Sequence, residues 1–217
     1  THDNDTILGL GDNPASPPAS IWQMVAPHTN VTMTVIKRFL QHPESVGKYY
    51  AELKRLTETV FAPANMNPLL DQMLGDFVPA SQIVKMKQFV VNRNASVLSQ
   101  IPQTFTAVTS LSKVNGFYQT TASTVSVNGT ANAIETRAVR VNDLPAAWAP
   151  VTGTWSCADV PLQPGINRII IETFDNPEGL GAELYRNYVD IWYNEDNQST
   201  LSGTLTANTV LDEAYRP

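Results

Sequence analysis

The chain has 217 residues, of which 42% are hydrophobic and only 16% are charged, so it can bury a core as one large domain or two small ones. The formal net charge is −6 and no basic cluster is longer than Lys37-Arg38, which excludes the concentrated positive charge of a nucleic-acid-binding surface. No apolar run approaches the length of about 18 residues that a membrane span needs.

Residues 1–20 are predicted to form a loop, because Pro14, Pro17 and Pro18 disfavour a regular helix. Asp3 and Asp5 lie within this loop as two carboxylates at positions i and i+2. In an extended segment their side chains point to the same side and could share a hard cation such as Mg²⁺. The alternative is a solvated polar segment, since acidic pairs at this spacing are common in turns.

Residues 21–102 are predicted to form a helical subdomain, because the apolar residues recur there at three- and four-residue spacing. Pro43 and Glu44 are typical of a helix start, and Pro63 and Pro102 are expected to stop helices. The predicted helices are Thr34 to Gln41, Pro43 to Phe61, Asn67 to Phe77 and Ala80 to Ile101.

Residues 103–115 are rich in Ser and Thr and are predicted to be an extended linker, with the domain boundary near residue 103. Residues 116–194 contain seven short apolar-alternating runs separated by turn signals, which indicates an all-β sandwich of immunoglobulin-like type. The predicted fold class is therefore α+β as separate domains. The run Ile169-Ile170-Ile171 lacks alternation and suggests a strand covered on both sides.

The lone cysteine, Cys157, excludes an intrachain disulfide and is predicted to fill the core. The segment Asp175 to Gly179 could offer oxygen ligands to Ca²⁺, but an ordinary turn is the preferred interpretation. Trp148, Trp155 and Trp192 would form a sugar-stacking face if exposed and would be core if buried, and both alternatives stay open.

The run FLQHPESVGKYYAELKRLTETVFAPANMNPLLDQM resembles the C-terminal helical part of the spore coat protein H (CotH) family. That family has an atypical, secreted, protein-kinase-like fold that transfers phosphate from ATP to protein. The matching residues are Pro43, Tyr50, Leu53, Arg55, Leu56, Phe61, Asn67, Leu70 and the predicted helix from Ala80 to Ile101.

The resemblance changes how the first residues are interpreted. The family carries an Asp-x-Asp motif followed by Gly shortly before its C-terminal helices, and Asp3, Asp5 and Gly9 fit that pattern. It implies that Asp3 is the metal ligand of a kinase-like site and that Asp5 is its neighbour. The family usually has a bulky apolar residue between the two aspartates, and Asn4 departs from it.

The same resemblance places the nucleotide-clamping lysine, its glutamate partner and the catalytic aspartate upstream of Thr1. It therefore implies that this chain has no catalytic residues of its own and cannot phosphorylate a protein alone. Mg²⁺ and ATP would belong to an intact parent protein, and no cofactor is expected for this chain alone. The expected partner is the remaining N-terminal part of the kinase-like domain.

Residues 116–193 show a second resemblance, to bacterial immunoglobulin-like modules. It rests on Val141-Asn142, Gly153-Thr154-Trp155 and the run Leu162 to Asn167. Such modules usually act as spacers, and residues 195–217 are expected to be an extended tail that leads to a further domain. We therefore expect a fragment of a large extracellular or cell-surface protein with neighbouring domains as partners, or the product of a proteolytic maturation that stays bound to its N-terminal partner. The alternative is a carbohydrate- or partner-binding module.

Overall fold

The computed structural model describes residues 7–9, 19–23, 32–114 and 116–195. The chain divides into two compact units, Thr1–Gln103 and Thr104–Pro217. The described helices lie in the first unit and the described strands in the second, which confirms the predicted order of a helical part followed by a β-sandwich. Within the described residues, no helix is both long enough and apolar enough to cross a membrane.

The helical unit contains α1 (Thr34–Gln41), α2 (Pro43–Glu58), α3 (Pro63–Leu74) and α4 (Ala80–Ser99). A short 3-10 turn, Ile7–Gly9, lies beside α4, where Gly9 contacts the ring of Phe89. His42 joins the first two helices, and its Nδ1 accepts a hydrogen bond from the Glu44 amide at 3.4 Å. The buried apolar side chains of this unit are Ile21, Val46, Tyr50, Leu70, Ile83, Val90, Val97 and Ile101.

Four helix boundaries differ from those predicted. The third helix ends at Leu74 and not at Phe77, and the fourth ends at Ser99 and not at Ile101. The second helix ends at Glu58 and not at Phe61, because Thr59 leaves the helical region with φ −120° and ψ −84°. The third helix begins at Pro63 and not at Asn67. Proline suits the first position of a helix, where no partner is needed for a backbone N–H. Pro63 was predicted only as a stop signal, but the helix before it has already ended at Glu58, and Pro63 begins the next one.

The described part of the second unit, residues 104–114 and 116–195, contains ten strands. They are β1 (Thr106–Val108), β2 (Lys113–Val114), β3 (Phe117–Thr120), β4 (Thr124–Thr130), β5 (Ala138–Val141), β6 (Leu144–Pro145), β7 (Ala147–Ala149), β8 (Thr154–Pro161), β9 (Gly165–Phe174) and β10 (Glu183–Tyr193). One sheet has four strands in the order β1-β4-β8-β7, and the other has six in the order β2-β3-β10-β9-β5-β6. All pairings are antiparallel except that of β3 with β10, which is parallel.

Side chains from both sheets share one core, which makes the second unit a two-layer sandwich. Val125, Val127, Trp155, Cys157 and Val160 come from the four-stranded sheet. The six-stranded sheet supplies Val139, Val141, Ile169, Ile171, Val189, Ile191 and Tyr193.

The run of three isoleucines in β9 alternates between the two faces of its sheet. Ile169 and Ile171 are 1% and 0% exposed, whereas Ile170 is only partly buried and pairs with Tyr188 of the neighbouring strand. The expectation that both faces of this strand are covered is therefore wrong. Side chains at successive positions of a strand point to opposite faces, so an apolar residue in the middle position does not require a second core.

The range predicted as a linker, 103–115, contains two of the strands. Residues 106–108 pair with β4, and the Oγ1 atom of Thr106 accepts a hydrogen bond from the Thr130 amide at 3.0 Å. Residues 113–114 pair with β3. The linker prediction is wrong for these residues because backbone pairing at a sheet edge needs no long apolar run. Of the predicted tail, 195–217, only Glu195 lies within the described residues.

A tight turn joins β5 to β6 and fixes the end of the sheet. Asn142 and Asp143 both have positive φ angles, 44° and 65°. The Oδ1 atom of Asn142 accepts a hydrogen bond from the Ile170 amide at 2.8 Å, and its own amide donates to the Ile170 carbonyl at 2.9 Å. Asparagine tolerates the left-handed conformation better than most residues, so this turn follows from local sequence.

Candidate functional site

The predicted metal ligands, Asp3 and Asp5, lie outside the described residues. The described end of the motif is the turn Ile7–Gly9, where Leu8 and Gly9 have left-handed φ angles of 61° and 77°. Across residues 7–9, 19–23, 32–114 and 116–195, no group of three or more His, Cys, Asp or Glu side chains could hold a metal ion. The role of the two aspartates therefore stays a prediction.

Two of the residues on which the resemblance rests pack in the core of the helical unit, and a third is exposed. Tyr50 and Leu70 are 0% and 5% exposed and belong to the core. Arg55 is exposed and pairs with Glu52, with its Nε and Nη2 atoms at 2.8 and 2.6 Å from the two carboxylate oxygens. Because both side chains are exposed to solvent, the pair contributes little to stability.

Three aromatic side chains pack together where residues 19–23 meet α2. The ring centroid of Trp22 lies 5.1 Å from that of Tyr49 and 5.7 Å from that of Tyr50. The Tyr49 hydroxyl donates to the Ile21 carbonyl at 2.6 Å. Burial raises the pKa of the Tyr50 phenol to about 12, so this hydroxyl is neutral at physiological pH.

A cavity of about 250 Å³ lies between α2 and α4. Its wall is mainly apolar, with Leu53, Leu56, Phe89 and Val90 among the lining residues. Asn94 also lines it, and its Nδ2 atom donates to the Phe61 carbonyl at 2.7 Å. The side-chain amide of Asn94 thus holds the segment that follows α2. The lining residues include no pair of groups able to exchange a proton.

Cys157 faces the core of the sandwich and is 6% exposed. Burial, and to a lesser extent the nearby Asp159 carboxylate, raise the pKa of its thiol. A thiol held in its protonated form is a poor nucleophile, since the thiolate is the reactive species. The prediction that Cys157 fills the core is confirmed.

The segment from Asp175 to Gly179 is the turn between β9 and β10. The Oδ1 atom of Asp175 accepts a hydrogen bond from the Ala182 amide at 2.9 Å, and that of Asn176 accepts from the Glu178 amide at 2.8 Å. These oxygens cap the turn instead of converging on a common point. The prediction of an ordinary turn is confirmed.

The three tryptophans of the sandwich lie in different places. Trp155 is 2% exposed and its Nε1 atom donates to the Thr130 carbonyl at 3.0 Å. Trp148 is directly opposite Trp155 in the strand register and packs against the same core, partly buried. Trp192 belongs to the other sheet, where it pairs with the exposed Ile166 on the outer face. The structure does not bring the three side chains together as a single stacking surface.

One cleft in the sandwich combines charged, aromatic and small side chains. We call it the edge cleft; its volume is about 280 Å³. Arg140 borders it from β5, Arg137 from the position just before that strand, and Trp148 from β7. The remaining wall includes Pro145, Ala146, Pro177, Glu178 and Gly179.

Backbone carbonyls fix the side chain of Arg140 in the edge cleft. Its Nη2 and Nε atoms donate to the Asp143 carbonyl at 2.6 and 3.2 Å, and its Nη1 atom donates to the Gly179 carbonyl at 3.4 Å. A Cβ atom at Gly179 would lie 3.0 Å from the Cδ atom of Arg140, and Gly179 has a φ of 67°. Glycine at this position therefore allows the arginine to lie across the turn.

The sequence did not single out this cleft. No local sequence pattern sets Arg137, Arg140 or Glu178 apart as binding residues. The sequence predicts the turn at Asp175 to Gly179, but the closeness of this turn to β5 depends on the order of the strands in the sheet. Trp148 is the lining residue whose type could have indicated a binding site, but the sequence alone does not separate it from the other tryptophans.

No family model matches the chain, and no curated protein matches it. Among solved structures, the crystal structure of the S-layer protein rSbsC, residues 31–844, aligns over 77% of this chain with 12% sequence identity and a TM-score of 0.26. The alignment spans 24% of that chain, about a quarter of its length. A likeness at this TM-score carries no argument about fold or function.

Proposed function

We propose that this chain is part of a large secreted or cell-surface protein. In it, the helical unit completes a kinase-like lobe of the spore coat protein H type, and the sandwich is an immunoglobulin-like spacer. The chain itself has no catalytic activity in this proposal. The observation that carries it is the strand order of the two sheets, which supports the immunoglobulin-like part most directly.

Immunoglobulin-like sandwiches place strands A, B, E and D in one sheet and strands C, F and G in the other, to which variable-type domains add C′. The four-stranded sheet has the same order when β1, β4, β8 and β7 are taken as A, B, E and D. The other sheet fits with β10, β9, β5 and β6 as G, F, C and C′. Short turns such as that at Asn142 and Asp143 connect the strands in this arrangement.

The spacer role is supported by where the reactive side chains lie. Cys157 is buried, and the oxygens of Asp175 and Asn176 cap a turn. The described part of the sandwich therefore offers a compact core and no convergent catalytic groups. A spacer needs stability and short connections more than it needs chemistry.

The helical part of the proposal is supported by the resemblance of residues 39–73 to the family and by one exposed apolar surface. Among the described residues, α1 buries none of its own side chains. Val35, Ile36 and Phe39 on this helix are 82%, 47% and 66% exposed. The N-terminal part of the kinase-like domain is the proposed cover for these side chains, and in the intact parent Mg²⁺ and ATP would be held with the help of Asp3 and Asp5.

A phosphoryl-transfer assay tests the proposal. The chain and a longer protein that includes the kinase-like region are each incubated with Mg²⁺ and radiolabelled ATP. We expect label to be incorporated only with the longer protein, and we expect Asp3→Ala to abolish it there. Thr6→Ala is the matched control in the same segment. Label incorporated by this chain alone, or an Asp3→Ala protein with full activity, would contradict the kinase part of the proposal.

The alternative of a sugar-binding face built from Trp148, Trp155 and Trp192 together is not favoured. Trp155 is almost fully buried, and Trp192 lies on the outer face of a different sheet.

A further inference from the structure

The edge cleft is lined by two arginines, Arg137 and Arg140, and neither is in an ion pair with a described residue. The ion pairs of this part of the chain involve Arg55, Arg168 and Arg186 but neither Arg137 nor Arg140. Glu172 is opposite Arg140 in the strand register, but it pairs with Arg186 at 2.5 Å. With Glu178 as the one carboxylate among the lining residues, the cleft keeps a net positive charge in a chain whose net charge is −6.

The two guanidinium groups differ in how much of their hydrogen-bonding capacity is used. Arg140 donates to two backbone carbonyls, which fix its position. Arg137 donates one hydrogen bond, from Nη1 to the Thr136 carbonyl at 2.9 Å. Because a guanidinium has five N–H donors, Arg137 keeps most of them for a ligand. Their planar arrangement matches the two oxygens of a carboxylate.

The rest of the cleft suits a ring that bears hydroxyl groups. Trp148 offers an aromatic surface, and Pro145 and Pro177 add apolar contacts of the kind that the C–H groups of a sugar ring make. Glu178 would oppose a bare anion, but its carboxylate can accept hydrogen bonds from hydroxyl groups. The volume of about 280 Å³ is at the small end for ligand pockets, which fits one ring better than several.

We propose that the edge cleft binds a carboxylated sugar, with the carboxylate on Arg137, the ring against Trp148 and ring hydroxyls on Glu178. Arg140 is a positioning residue that shapes the floor and adds positive charge. The inference goes beyond the spacer role and does not depend on it. A cleft that holds one acidic sugar unit would attach weakly to an acidic polysaccharide.

The test is calorimetric titration of the full chain with a short oligomer of galacturonic acid, at low and at high salt. A neutral galactose oligomer and a glutamate oligopeptide of the same length serve as comparison ligands. We expect binding of the acidic sugar alone, with an affinity that falls as salt rises. Arg137→Gln should weaken it about tenfold, the size expected when a charge-assisted hydrogen-bonded pair is lost.

Arg168→Gln is the matched control, because Arg168 is an exposed arginine on the outer face that is already paired with Asp190. It should leave binding unchanged. Trp148→Phe keeps an apolar ring in the core and should weaken binding, while thermal melts report whether each variant is folded. Four results would each overturn the inference. They are equal binding of the neutral oligomer, binding of the peptide instead of the sugar, no binding of the acidic sugar, and an unchanged affinity in a folded Arg137→Gln variant.

Discussion

The side-chain amide of Asn167 clamps the backbone of Gln163 from both sides. Its Nδ2 atom donates to the Gln163 carbonyl at 2.7 Å, and its Oδ1 atom accepts from the Gln163 amide at 2.8 Å. The same Nδ2 atom donates to the Gly165 carbonyl at 3.0 Å. One side chain at the start of β9 therefore closes the loop that follows β8.

Replacement of Asn167 by alanine should destabilise the sandwich by about 2 kcal/mol. The variant loses hydrogen bonds that contribute roughly 0.5–1.5 kcal/mol each. Urea denaturation followed by tryptophan fluorescence measures the change. Gln163→Ala is the control, because Gln163 takes part through its backbone only and its side chain is exposed. Equal stabilities of the two variants would show that the clamp has no energetic role.

Two substitutions of Asn142 distinguish the loss of a hydrogen bond from the strain of a positive φ angle. Asn142→Ala loses both the hydrogen bond to Ile170 and a residue that tolerates φ 44°, so we expect a cost of about 2 kcal/mol. Asn142→Gly should cost about half as much, because glycine relieves the backbone strain but cannot make the hydrogen bond. Chemical denaturation midpoints decide the order of the two variants.

Asp143→Gly at the next position should be neutral or slightly stabilising. Asp143 has φ 65° and is exposed, and its contact with Arg140 uses the backbone carbonyl, which glycine retains. A strongly destabilised Asp143→Gly protein would mean that the carboxylate has a role that the geometry does not explain.

The alternation of β9 predicts opposite outcomes for two of its isoleucines. Ile171→Ala should cost about 2–5 kcal/mol, because Ile171 is 0% exposed and its truncation leaves a cavity. Ile166→Ala should change the free energy of unfolding by less than about 0.5 kcal/mol, because Ile166 is 69% exposed on the outer face. Thermal and urea denaturation of both variants provide the comparison, and similar losses would contradict the register of this strand.

The stability of the helical unit should fall between pH 10 and pH 12. In the folded state the pKa of Tyr50 is raised to about 12 by burial, whereas the unfolded chain loses this proton near pH 10. The folded state thus binds more protons above pH 10. The stabilisation of the folded state by the protonated Tyr50 is fully present below pH 10. It declines by at most about 1.4 kcal/mol per pH unit as the pH rises from there towards 12.

Far-UV circular dichroism during urea titration at pH 9 and pH 11 measures this loss. Tyr50→Phe should be less stable than the parent protein at pH 9, because it loses the buried hydroxyl and its interaction with Trp22. It should also lose less stability on going to pH 11. Tyr188→Phe is the control, since Tyr188 is an exposed residue of the sandwich. A Tyr50→Phe variant with an unchanged pH dependence would exclude Tyr50 as its source.

Local patterns predicted the elements better than their connections. The helix at Thr34–Gln41 has the predicted bounds, because it combines a clear period with a proline just beyond its end. Strands β1 and β2 were missed because two or three residues at a sheet edge carry no readable period. Their partners come from residues that are distant in the sequence, such as Thr130 for Thr106.

The candidate site was less predictable than the fold. The burial of Cys157 was predictable, because it lies between Trp155 and Val160 in a predicted strand and cysteine is among the most buried residue types. The edge cleft depends on the approach of the turn at Gly179 to Arg140, residues separated by 39 positions. A single sequence contains no local signal of that approach, and the metal motif at Asp3 and Asp5 stays a prediction.

The parallel pairing of β3 with β10 has a mechanical consequence. Tyr118 is opposite Ile191 and Thr120 is opposite Tyr193, and the Asn194 amide donates to the Thr120 carbonyl at 2.9 Å. The chain enters β3 at one end of this pair and leaves β10 at the other. A pull on these two ends loads the shared hydrogen bonds side by side, so that they must break together instead of one after another. The sandwich is thus built to resist tension along its chain.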